Sequence, residues 1–335
     1  IFASRFRDRV VHHLLYNYLM PTFDSTMIFD SYSCRLGKGT AMGIKRLDHH
    51  LRSVTDNYKY GAYVMKMDIQ GYFMSINKDI LFNLVDEVLQ KRKAKGRTMY
   101  CANGRVIDLD LTYYLLDKVL YRDVVTNVER RGKISDWDNL PPSKSILKNP
   151  PGVGLPIGDL TSQLFSNIYL GQLDEYMKRT LKCKHYGRYV DDFFVVHKSK
   201  EFLKSLVPRV REFLRDKLKL TLHPNKTQLY HSTQGVPFLG AVVMPHRIYV
   251  HNRTAKFFKA SLFDHNNALK WDRSGALRQE TMERIVPSLN SYLGYLGQYR
   301  TYKMRRKLLE RTVLGRHFSF DTDLLLCSVD HLSMG

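Results

Sequence analysis

Apolar residues recur at helical spacing along much of the chain. Between Phe6 and Leu19 they stand one, three or four positions apart, with basic residues on the other faces, which predicts an amphipathic helix. Its apolar positions are Phe6, Val10, Val11, Leu14, Leu15 and Tyr18. The same spacing predicts helices over 40–54, 108–121, 159–181 and 200–218, over much of the chain after residue 254, and from Asn77 as N-cap into "KRKAKGR".

The spacing changes to that of strands in three places. The pattern over 64–69 predicts a buried strand that ends before Gly71. The segment "GRYVDDFFVV" (187–196) is predicted to form two strands joined by a turn. A third segment, "GVPFLGAVVMPHRIYVHN" (235–252), predicts one hairpin. Pro and Gly are frequent over 136–158, which predicts a loop. Strands and helices therefore interleave without a repeat, in a chain long enough for about two or three packed subdomains.

A large cationic excess narrows the choice of partners. The 53 Lys and Arg residues exceed the 32 Asp and Glu residues, so the net charge is +21 over 335 residues, and a polyanion such as nucleic acid is the natural partner. No apolar run approaches the roughly 20 residues that span a bilayer, so we expect no membrane partner. The four cysteines lie far apart without metal-ligand spacing, which favours a reducing cytoplasm. Because the chain opens on Ile1 rather than Met, we expect a further segment upstream.

Two adjacent carboxylates, Asp191 and Asp192, lie inside an otherwise aromatic and aliphatic run. A hairpin tip would hold them rigidly, although an isolated pair of this kind is more often a solvated turn. Asp68 favours a functional site over a solvated turn, because this third carboxylate also lies at the end of a hydrophobic strand and precedes a bend. Three carboxylates brought together repel one another unless divalent cations neutralise them. Two Mg²⁺ ions about 4 Å apart, or Mn²⁺ in their place, would suit nucleotidyl transfer.

Five motifs resemble those of reverse transcriptases, in matching order along nearly the whole chain. "YVDD" (189–192) resembles the catalytic hairpin, and "MDIQGYF" (67–73) resembles the strand that carries the first metal ligand. "GLPIGDLTSQLFSNIYL" (154–170) resembles the loop and helix at the template and nucleotide, "LTLHPNKT" (220–227) the lysine-bearing segment, and "GVPFLG" (235–240) the primer-grip hairpin. The resemblance implies an α+β right-hand polymerase with an antiparallel palm sheet that carries the catalytic Asp residues. It implies partial fingers over 1–60, a palm over 61–245 with a fingers-type insertion at about 90–150, and a thumb with a C-terminal tail over 246–335.

The resemblance also assigns roles to single residues. Asp68, Asp191 and Asp192 become the catalytic, metal-binding carboxylates, and Ile69 would add its backbone carbonyl. Lys226 would serve the leaving pyrophosphate as a proton donor or a phosphate-binding charge, or would be a plain surface lysine. The nucleotide-binding candidates are Ile69, Phe73, Ile157, Gly158, Gln163, Arg35 and Lys38. The nucleic-acid-binding candidates are Tyr189, Phe238, Leu239, Gly240, Lys303, Arg305, Arg306 and Lys307.

Two of these positions bear on substrate choice. Phe73 stands where reverse transcriptases keep an aromatic ring beneath the sugar, which would exclude a ribose 2′-hydroxyl and favour deoxynucleotides. Ile157 replaces the glutamine of the commoner Pro-Gln-Gly pattern, and Ser162-Gln163 replaces Ser-Pro. This form resembles the reverse transcriptases of diversity-generating retroelements, as does "DSYSCRLGKGT" (30–40).

That family copies a template-repeat RNA into cDNA with errors concentrated at template adenines. The resemblance thus implies template RNA, a cDNA or primer strand and dNTPs as partners, a small basic accessory variability protein, and a bacterial or phage-encoded cytoplasmic enzyme. Two alternatives stay open: a defence-associated bacterial reverse transcriptase, and an RNA-binding scaffold with a lapsed polymerase fold, against which the three intact carboxylates argue. Arg35 and Lys38 are either nucleotide or template contacts or solvated loop charges. We interpret the pairs His12-His13 and His49-His50 as helix-surface residues.

Overall fold

The computed structural model describes residues 4–122, 141, 145–146, 149–271, 275–314 and 317–329. The chain divides into two units, Ile1–His231 and Ser232–Gly335. The elements of the first unit are α1 (Phe6–Asp24), α2 (Thr40–Thr55), β1 (Tyr63–Met67), α3 (Tyr72–Ser75), α4 (Lys78–Ala94), α5 (Leu109–Leu120), α6 (Leu160–Glu175) with a π-helical turn (Tyr176–Thr180), β2 (Tyr186–Tyr189), β3 (Asp192–His197), α7 (Lys200–Leu218) and β4 (Gln228–His231). Those of the second are β5 (Val236–Phe238), β6 (Ala241–Met244), β7 (Arg247–Val250), α8 (Asn252–Trp271), α9 (Gly275–Gly297), α10 (Tyr302–Leu309), β8 (Phe318–Phe320) and β9 (Cys327–Val329).

The sheet of the first unit has the order β2-β3-β1-β4, and every pair in it is antiparallel. Met67 on β1 lies opposite Phe193 on β3, so the C-terminal end of β1 meets the start of β3. Four successive residues of β3 are buried, as expected of a strand covered on both faces. Residues of α4, α6 and α7 join these strands in one hydrophobic core. The sheet therefore fixes the C-terminal end of β1 beside the N-terminal end of β3.

Side-chain caps set the starts of three helices of this unit. Asn77 accepts from the Ile80 amide at 2.9 Å, Asp108 from the Leu111 amide, and Ser199 from the Phe202 amide, both at 3.0 Å. The predicted cap at Asn77 is therefore confirmed, and the predicted helices over 108–121 and 200–218 lie within one residue of the observed bounds. The predicted loop over 136–158 lies partly outside the described residues, and its last ten residues form bends and turns.

The face that α1 buries differs from the predicted one. Phe6 is 75% exposed and Val10 is 54% exposed, although both belong to the predicted apolar stripe. The buried residues of α1 are His12, Leu15, Leu19, Thr22 and Phe23. His12 finds polar partners on the start of α6, and these partners let a polar residue replace an apolar one on the inner face. The interpretation of His12 as a surface residue is therefore wrong.

His50 on α2 is also buried, which corrects the second surface assignment. Its Nε2 lies 3.2 Å from a carboxylate oxygen of Asp30, and its Nδ1 lies 3.2 Å from Nδ1 of His185. Burial lowers the pKa of His50, although Asp30 opposes the shift. His50 and Arg46 together keep the pKa of Asp30 below its ordinary value in spite of burial. The pair His49-His50 thus contributes one residue to a buried polar cluster.

The second unit contains a three-stranded antiparallel sheet, β5-β6-β7, where one hairpin was predicted. Leu239 and Gly240, both with positive φ, make the first turn, and His246 with φ 59° helps to make the second. Residues of α8, α9 and α10 then share a separate hydrophobic core, as the helical spacing predicts. The terminal hairpin β8-β9 was not predicted. Within the described chain, no helix has the length and apolar character that a bilayer crossing requires.

Candidate active site

The turn between β2 and β3 carries Asp191 at its tip. Tyr189 lies opposite Asp192, so only Val190 and Asp191 connect the two strands. Val190 has φ 54°, a left-handed conformation that is unfavourable for a β-branched residue and costs roughly 1–3 kcal/mol. A hydrogen bond of 2.9 Å from Nη1 of Arg188 to the Val190 carbonyl helps to hold it. The predicted hairpin with two carboxylates is therefore present, on a strained turn.

Asp68 directly follows β1 and lies beside this hairpin. Because Met67 pairs with Phe193, the next residue of the chain, Asp68, reaches the level of Asp192. Nζ of Lys226 lies 3.1 and 3.2 Å from the carboxylate oxygens of Asp68. Nζ of Lys66 lies 3.4 Å from Oδ2 of Asp192. Three carboxylates thus lie together at this end of the strands, and two of them are paired with lysines.

The carboxylates at this edge influence one another. Burial and then the nearby charge of Asp68 raise the pKa of Asp191 to about 6. Burial also raises the pKa of Asp192, although Lys66 opposes the shift. Burial and neighbouring negative charges both raise the pKa of a carboxyl group, because both disfavour its charged form. A cation placed among the carboxylates would relieve that crowding.

The donor chemistry of this edge fits Mg²⁺. Carboxylate and carbonyl oxygens are the ligands that Mg²⁺ prefers, and it commonly binds through a few carboxylates while keeping several waters. Across the described part of the chain, no three His, Cys, Asp or Glu side chains already form a group that could hold an ion. The ammonium groups of Lys66 and Lys226 pair instead with Asp192 and Asp68. Ligation would therefore require these two contacts to loosen.

The segment that bears Lys226 is fixed to Asp68 through the backbone. The His223 amide donates to the Asp68 carbonyl at 2.8 Å, and the Gln70 amide donates to the Thr221 carbonyl at 2.9 Å. Ile69 is buried and forms an antiparallel bridge with Leu222. Lys226 itself is exposed. The structure therefore brings Lys226 to Asp68 and Ile69, which lie more than 150 positions earlier in the sequence.

The predicted pocket loop is tied to the residues around Phe73. The Leu155 amide donates to the Phe73 carbonyl, and the Gly154 amide donates to the Ile76 carbonyl, both at 2.8 Å. Gly154 has φ +100°, and a Cβ there would lie 2.5 Å from Nδ2 of Asn149, so glycine is required. Phe73 is half-buried. The loop that leads to Ile157 therefore starts beside the Phe73 backbone.

Beyond this point the loop opens toward solvent. Ile157 is 49% exposed, Gly158 is exposed with φ +122°, and Gln163 on α6 is half-buried. Asp159 and Thr161, in contrast, are buried. The side chain of Ile157 is consequently available to a bound molecule, whereas the residues that follow Gly158 are anchored.

A buried polar cluster anchors the start of α6 to α1. Oδ1 of Asp159 accepts from the Ser4 hydroxyl at 2.5 Å, and Oδ2 lies 3.3 Å from Nε2 of His12. Nδ1 of His12 lies 2.6 Å from the Thr161 hydroxyl. Burial lowers the pKa of His12 in spite of the opposing charge of Asp159. This cluster fixes the helix end that follows Gly158.

Two predicted contact residues, Arg35 and Lys38, already make contacts within the protein. Arg35 has a nearly buried side chain whose Nε donates to Asp24 at 2.6 Å and whose Nη1 donates to two carbonyls. Nζ of Lys38 donates to the Phe29 carbonyl and lies 4.3 Å from the centre of the Phe29 ring. Arg35 is therefore neither a free contact nor a solvated charge, because its guanidinium braces the loop after α1.

In the second unit, two predicted nucleic-acid contacts point inward. Phe238 is buried, and Arg305 is buried with its Nη1 donating to the Leu324 carbonyl. A buried side chain does not reach a phosphate, so these two assignments are wrong as side-chain contacts. Lys303, Arg306 and Lys307 are exposed on α10, and Arg306 pairs with Glu310 at 2.7 Å.

The remaining nucleic-acid candidates occupy turns and strand ends. Leu239 and Gly240 form the turn between β5 and β6 and are partly exposed, and the Leu239 carbonyl accepts from the Tyr295 hydroxyl at 3.1 Å. A Cβ on Gly240 would lie 2.6 Å from that hydroxyl. Tyr189, at the end of β2 in the first unit, is half-buried.

Four residues of the site are not among those predicted from the sequence. Lys66 occupies the same face of β1 as Asp68, and the alternation in "MKMD" could have indicated it. Arg188 is a charged residue inside an aromatic strand, which is itself a signal. Its partners Asn167 and Asp174 lie on the buried face of α6, and nothing local in the sequence distinguishes them.

Residues 139–243 match the family model described as reverse transcriptase (RNA-dependent DNA polymerase). This stretch of the chain is similar to a reverse transcriptase domain. The group II intron-encoded protein LtrA of Lactococcus lactis subsp. cremoris is 35% identical over 85 residues, which are 25% of this chain and 14% of that protein. Protein YkfC of Escherichia coli K12 is 23% identical over 266 residues, which are 70% of this chain and 60% of that protein. The chain thus spans less than two thirds of either relative.

A solved structure supports the same fold. Apo telomerase from Candida tropicalis superposes with a TM-score of 0.50 at 13% identity, over 90% of this chain and 47% of that one. At such identity the likeness concerns the fold alone. The predicted α+β right-hand polymerase fold is confirmed.

Proposed function

We propose that this protein is an RNA-directed DNA polymerase that copies a template RNA into cDNA. The observation that carries the proposal is that Asp68, Asp191 and Asp192 lie together at one end of the neighbouring antiparallel strands β2, β3 and β1. Carboxylates that crowd enough to raise the pKa of Asp191 suit a site that binds divalent cations. The reverse transcriptase match over 139–243 includes two of the three.

In this proposal the three carboxylates and the Ile69 carbonyl would hold two Mg²⁺ ions. When bound, such ions lower the pKa of a primer 3′-hydroxyl and stabilise the charge on the leaving oxygen. Lys226 lies within reach of Asp68 and would place its ammonium near the departing pyrophosphate, where it donates a proton or a hydrogen bond. Lys66 would orient Asp192.

The substrate side of the proposal rests on the pocket loop and on exposed charge. Phe73, joined to Leu155 through the backbone, would lie under the sugar of a dNTP, and Ile157, Gly158 and Gln163 would border it. The template-primer backbone would be held by distributed cations, with Lys303, Arg306 and Lys307 on α10 as candidates and Leu239–Gly240 as the primer-side turn.

Primer extension on a simple RNA template tests this function. We expect the wild-type protein to extend a DNA primer with dNTPs in Mg²⁺ and to stop when EDTA is added. Asp191→Asn and Asp68→Asn should abolish extension while RNA binding stays within about twofold, because binding rests on distributed Lys and Arg. RNA binding without extension by the wild type would instead favour the lapsed scaffold.

We further propose that the biological role is gene diversification, with errors concentrated at template adenines and with a small basic accessory protein as partner. The Ile157-Gly158 and Ser162-Gln163 pattern supports this role, and the exposure of Ile157 leaves its side chain free to influence the pocket. A defence-associated reverse transcriptase is the alternative. A template and variable repeat pair beside the coding gene would support diversification, and its absence together with adenine-independent errors would contradict it.

A further inference from the structure

Arg188 is a fully buried arginine in the strand that leads into the catalytic turn, with 0% exposure of its side chain. Its Nε donates to Oδ1 of Asp174 at 2.8 Å, and its Nη2 donates to Oδ2 of Asp174 at 2.7 Å. This two-point pairing is the geometry in which a guanidinium binds a carboxylate most strongly. The pair joins β2 to α6, across the core of the first unit.

The guanidinium also uses its remaining donors. Nη1 donates to the Val190 carbonyl at 2.9 Å and to Oδ1 of Asn167 at 3.2 Å. Nη2 donates to the Ser31 hydroxyl at 3.2 Å. With the two bonds to Asp174, all five N–H groups that an arginine carries are engaged. One side chain therefore connects the turn, α6 and the loop before α2.

The backbone around Arg188 reinforces this connection. The Arg188 amide donates to the Asp30 carbonyl at 2.9 Å, and the Tyr32 amide donates to the Arg188 carbonyl at 3.0 Å. The Tyr32 hydroxyl lies so close to Gly187, the residue before Arg188, that a Cβ on Gly187 would lie 2.5 Å from it. The strand is thus clamped one residue before Tyr189 and two before the strained Val190.

Stability of the fold alone does not account for such an arrangement. A buried ion pair can often be replaced by apolar residues of similar volume with little loss of stability, because its desolvation offsets its attraction. Apolar residues, however, cannot donate to the Val190 carbonyl. This bond acts on the residue whose backbone is in an unfavourable conformation, directly before Asp191.

We propose that Arg188 is the positioning residue of the active site, which holds the Val190–Asp191 turn so that Asp191 and Asp192 face Asp68. This inference rests on the proposed polymerase function for its consequence, but its structural content does not. Without the Arg188 donor, the turn would relax away from positive φ at Val190 and carry the two carboxylates with it. Cation binding at Asp191 would weaken before the fold does.

The test uses Arg188→Met combined with Asp174→Leu, which removes the pair without leaving a buried charge unpaired. The matched control is Tyr186→Phe, because the Tyr186 hydroxyl donates to the same Asp174 oxygen at 2.6 Å and its loss disturbs the same core. Amide hydrogen exchange of the 189–193 segment is measured by mass spectrometry in the whole protein, without metal or RNA. We expect exchange in the double variant to be on the order of tenfold faster, since a charge-assisted bond is lost, and the control to stay within about twofold of wild type.

The functional readout is the Mg²⁺ concentration that gives half-maximal primer extension, together with the separation of kcat from KM for the template-primer. The double variant should need about tenfold more Mg²⁺ and lose kcat, with KM unchanged, whereas Tyr186→Phe should resemble wild type. Equal exchange in the double variant and the control would overturn the inference. If the wild type shows no extension, the proposed function fails while the exchange comparison still decides the role of Arg188.

Arg188→Lys provides a second variant that keeps a positive charge opposite Asp174. A lysine cannot supply the fork that reaches Asp174, Val190 and Asn167 together. We expect this variant to fold, with intermediate exchange and an intermediate Mg²⁺ requirement. Loss of the folded state in Arg188→Lys would also count against the inference, because it would assign Arg188 to the stability of the whole unit.

Discussion

The Lys226 ammonium lies 3.1 and 3.2 Å from the two carboxylate oxygens of Asp68. Asp68 is thereby neutralised in part by a residue that the sequence places far away. The Lys226 side chain is 56% exposed, so solvent screens the pair and its separation costs little. The contact therefore suits a lysine that leaves Asp68 when a cation binds there and turns to the triphosphate.

Lys226→Gln should slow single-nucleotide extension by about 10- to 100-fold, because a proton donor or phosphate-binding charge is lost. Affinity for Mn²⁺, measured by calorimetry without nucleotide, should rise, because no ammonium competes for Asp68. Lys217→Gln, which removes an exposed lysine from α7, is the control and should behave as wild type. Equal rates for the two variants would reduce Lys226 to a surface charge.

The pKa of Asp191 predicts a pH-dependent stability. Burial and Asp68 raise it to about 6 in the folded protein, above its ordinary value of 3.8. The folded state therefore binds this proton more tightly than the unfolded state, so its contribution favours folding at low pH and is lost as the pH rises from about 4 through 6. Without metal, the carboxylate at pH 7.5 destabilises the fold.

Asp191→Asn should accordingly raise the free energy of unfolding by about 1–2 kcal/mol at pH 7.5 in EDTA, while abolishing extension. The gain should shrink toward pH 4, where the wild-type carboxyl is protonated in the folded state and partly protonated in the unfolded state. Denaturant melts at the two pH values measure it, with the exposed Asp216→Asn as control. A destabilised Asp191→Asn at pH 7.5 would mean that hydrogen bonds to the carboxylate outweigh its burial.

The elements of this protein could be predicted where the signal is local. The cap at Asn77, the helix over 108–121 and the hairpin around Asp191 follow from residues within a few positions of one another, and the structure contains them all. The inner face of α1 could not be predicted, because His12 is buried by virtue of Asp159, which lies 147 positions later.

The candidate site divides in the same way. The three carboxylates could be predicted because each lies at or beside one end of a hydrophobic strand. The role of Arg188 is not, because it depends on Asp174 and Asn167, which a helical pattern marks only as part of α6. Arg35 and Arg305 were misassigned for a related reason: a cation in a basic chain is expected at the surface, and both find acceptors inside.

Phe73→Ala should relax the choice between deoxynucleotides and ribonucleotides. The half-buried ring would no longer occupy the space beneath the sugar, so the ratio of rNTP to dNTP incorporation rates should rise by about tenfold or more. Phe73→Tyr keeps the ring and should leave the ratio close to wild type, which separates loss of the ring from general damage to the pocket. An unchanged ratio in Phe73→Ala would show that another group excludes the 2′-hydroxyl.

The exposure of Ile157 makes it a candidate determinant of fidelity. In the commoner Pro-Gln-Gly pattern a glutamine at this position can hydrogen-bond near the incoming sugar and phosphate, and so disfavour a poorly seated nucleotide. Isoleucine only fills volume, and with 49% of its surface exposed it does not serve mainly to pack the loop. A hydrogen bond of this kind is worth roughly 0.5–1.5 kcal/mol, or about 2- to 13-fold in discrimination.

Ile157→Gln should therefore lower misincorporation by about 2- to 13-fold, most of all opposite template adenine, with some loss of speed. Sequencing of cDNA made from one mixed-sequence RNA by the wild type, Ile157→Gln and the volume-conserving control Ile157→Leu measures the error spectra. Leucine cannot accept or donate a hydrogen bond, so its spectrum should follow wild type. Identical spectra from all three enzymes would exclude this residue from the control of fidelity, and a reduction that is equal at all four template bases would separate general fidelity from adenine-directed diversification.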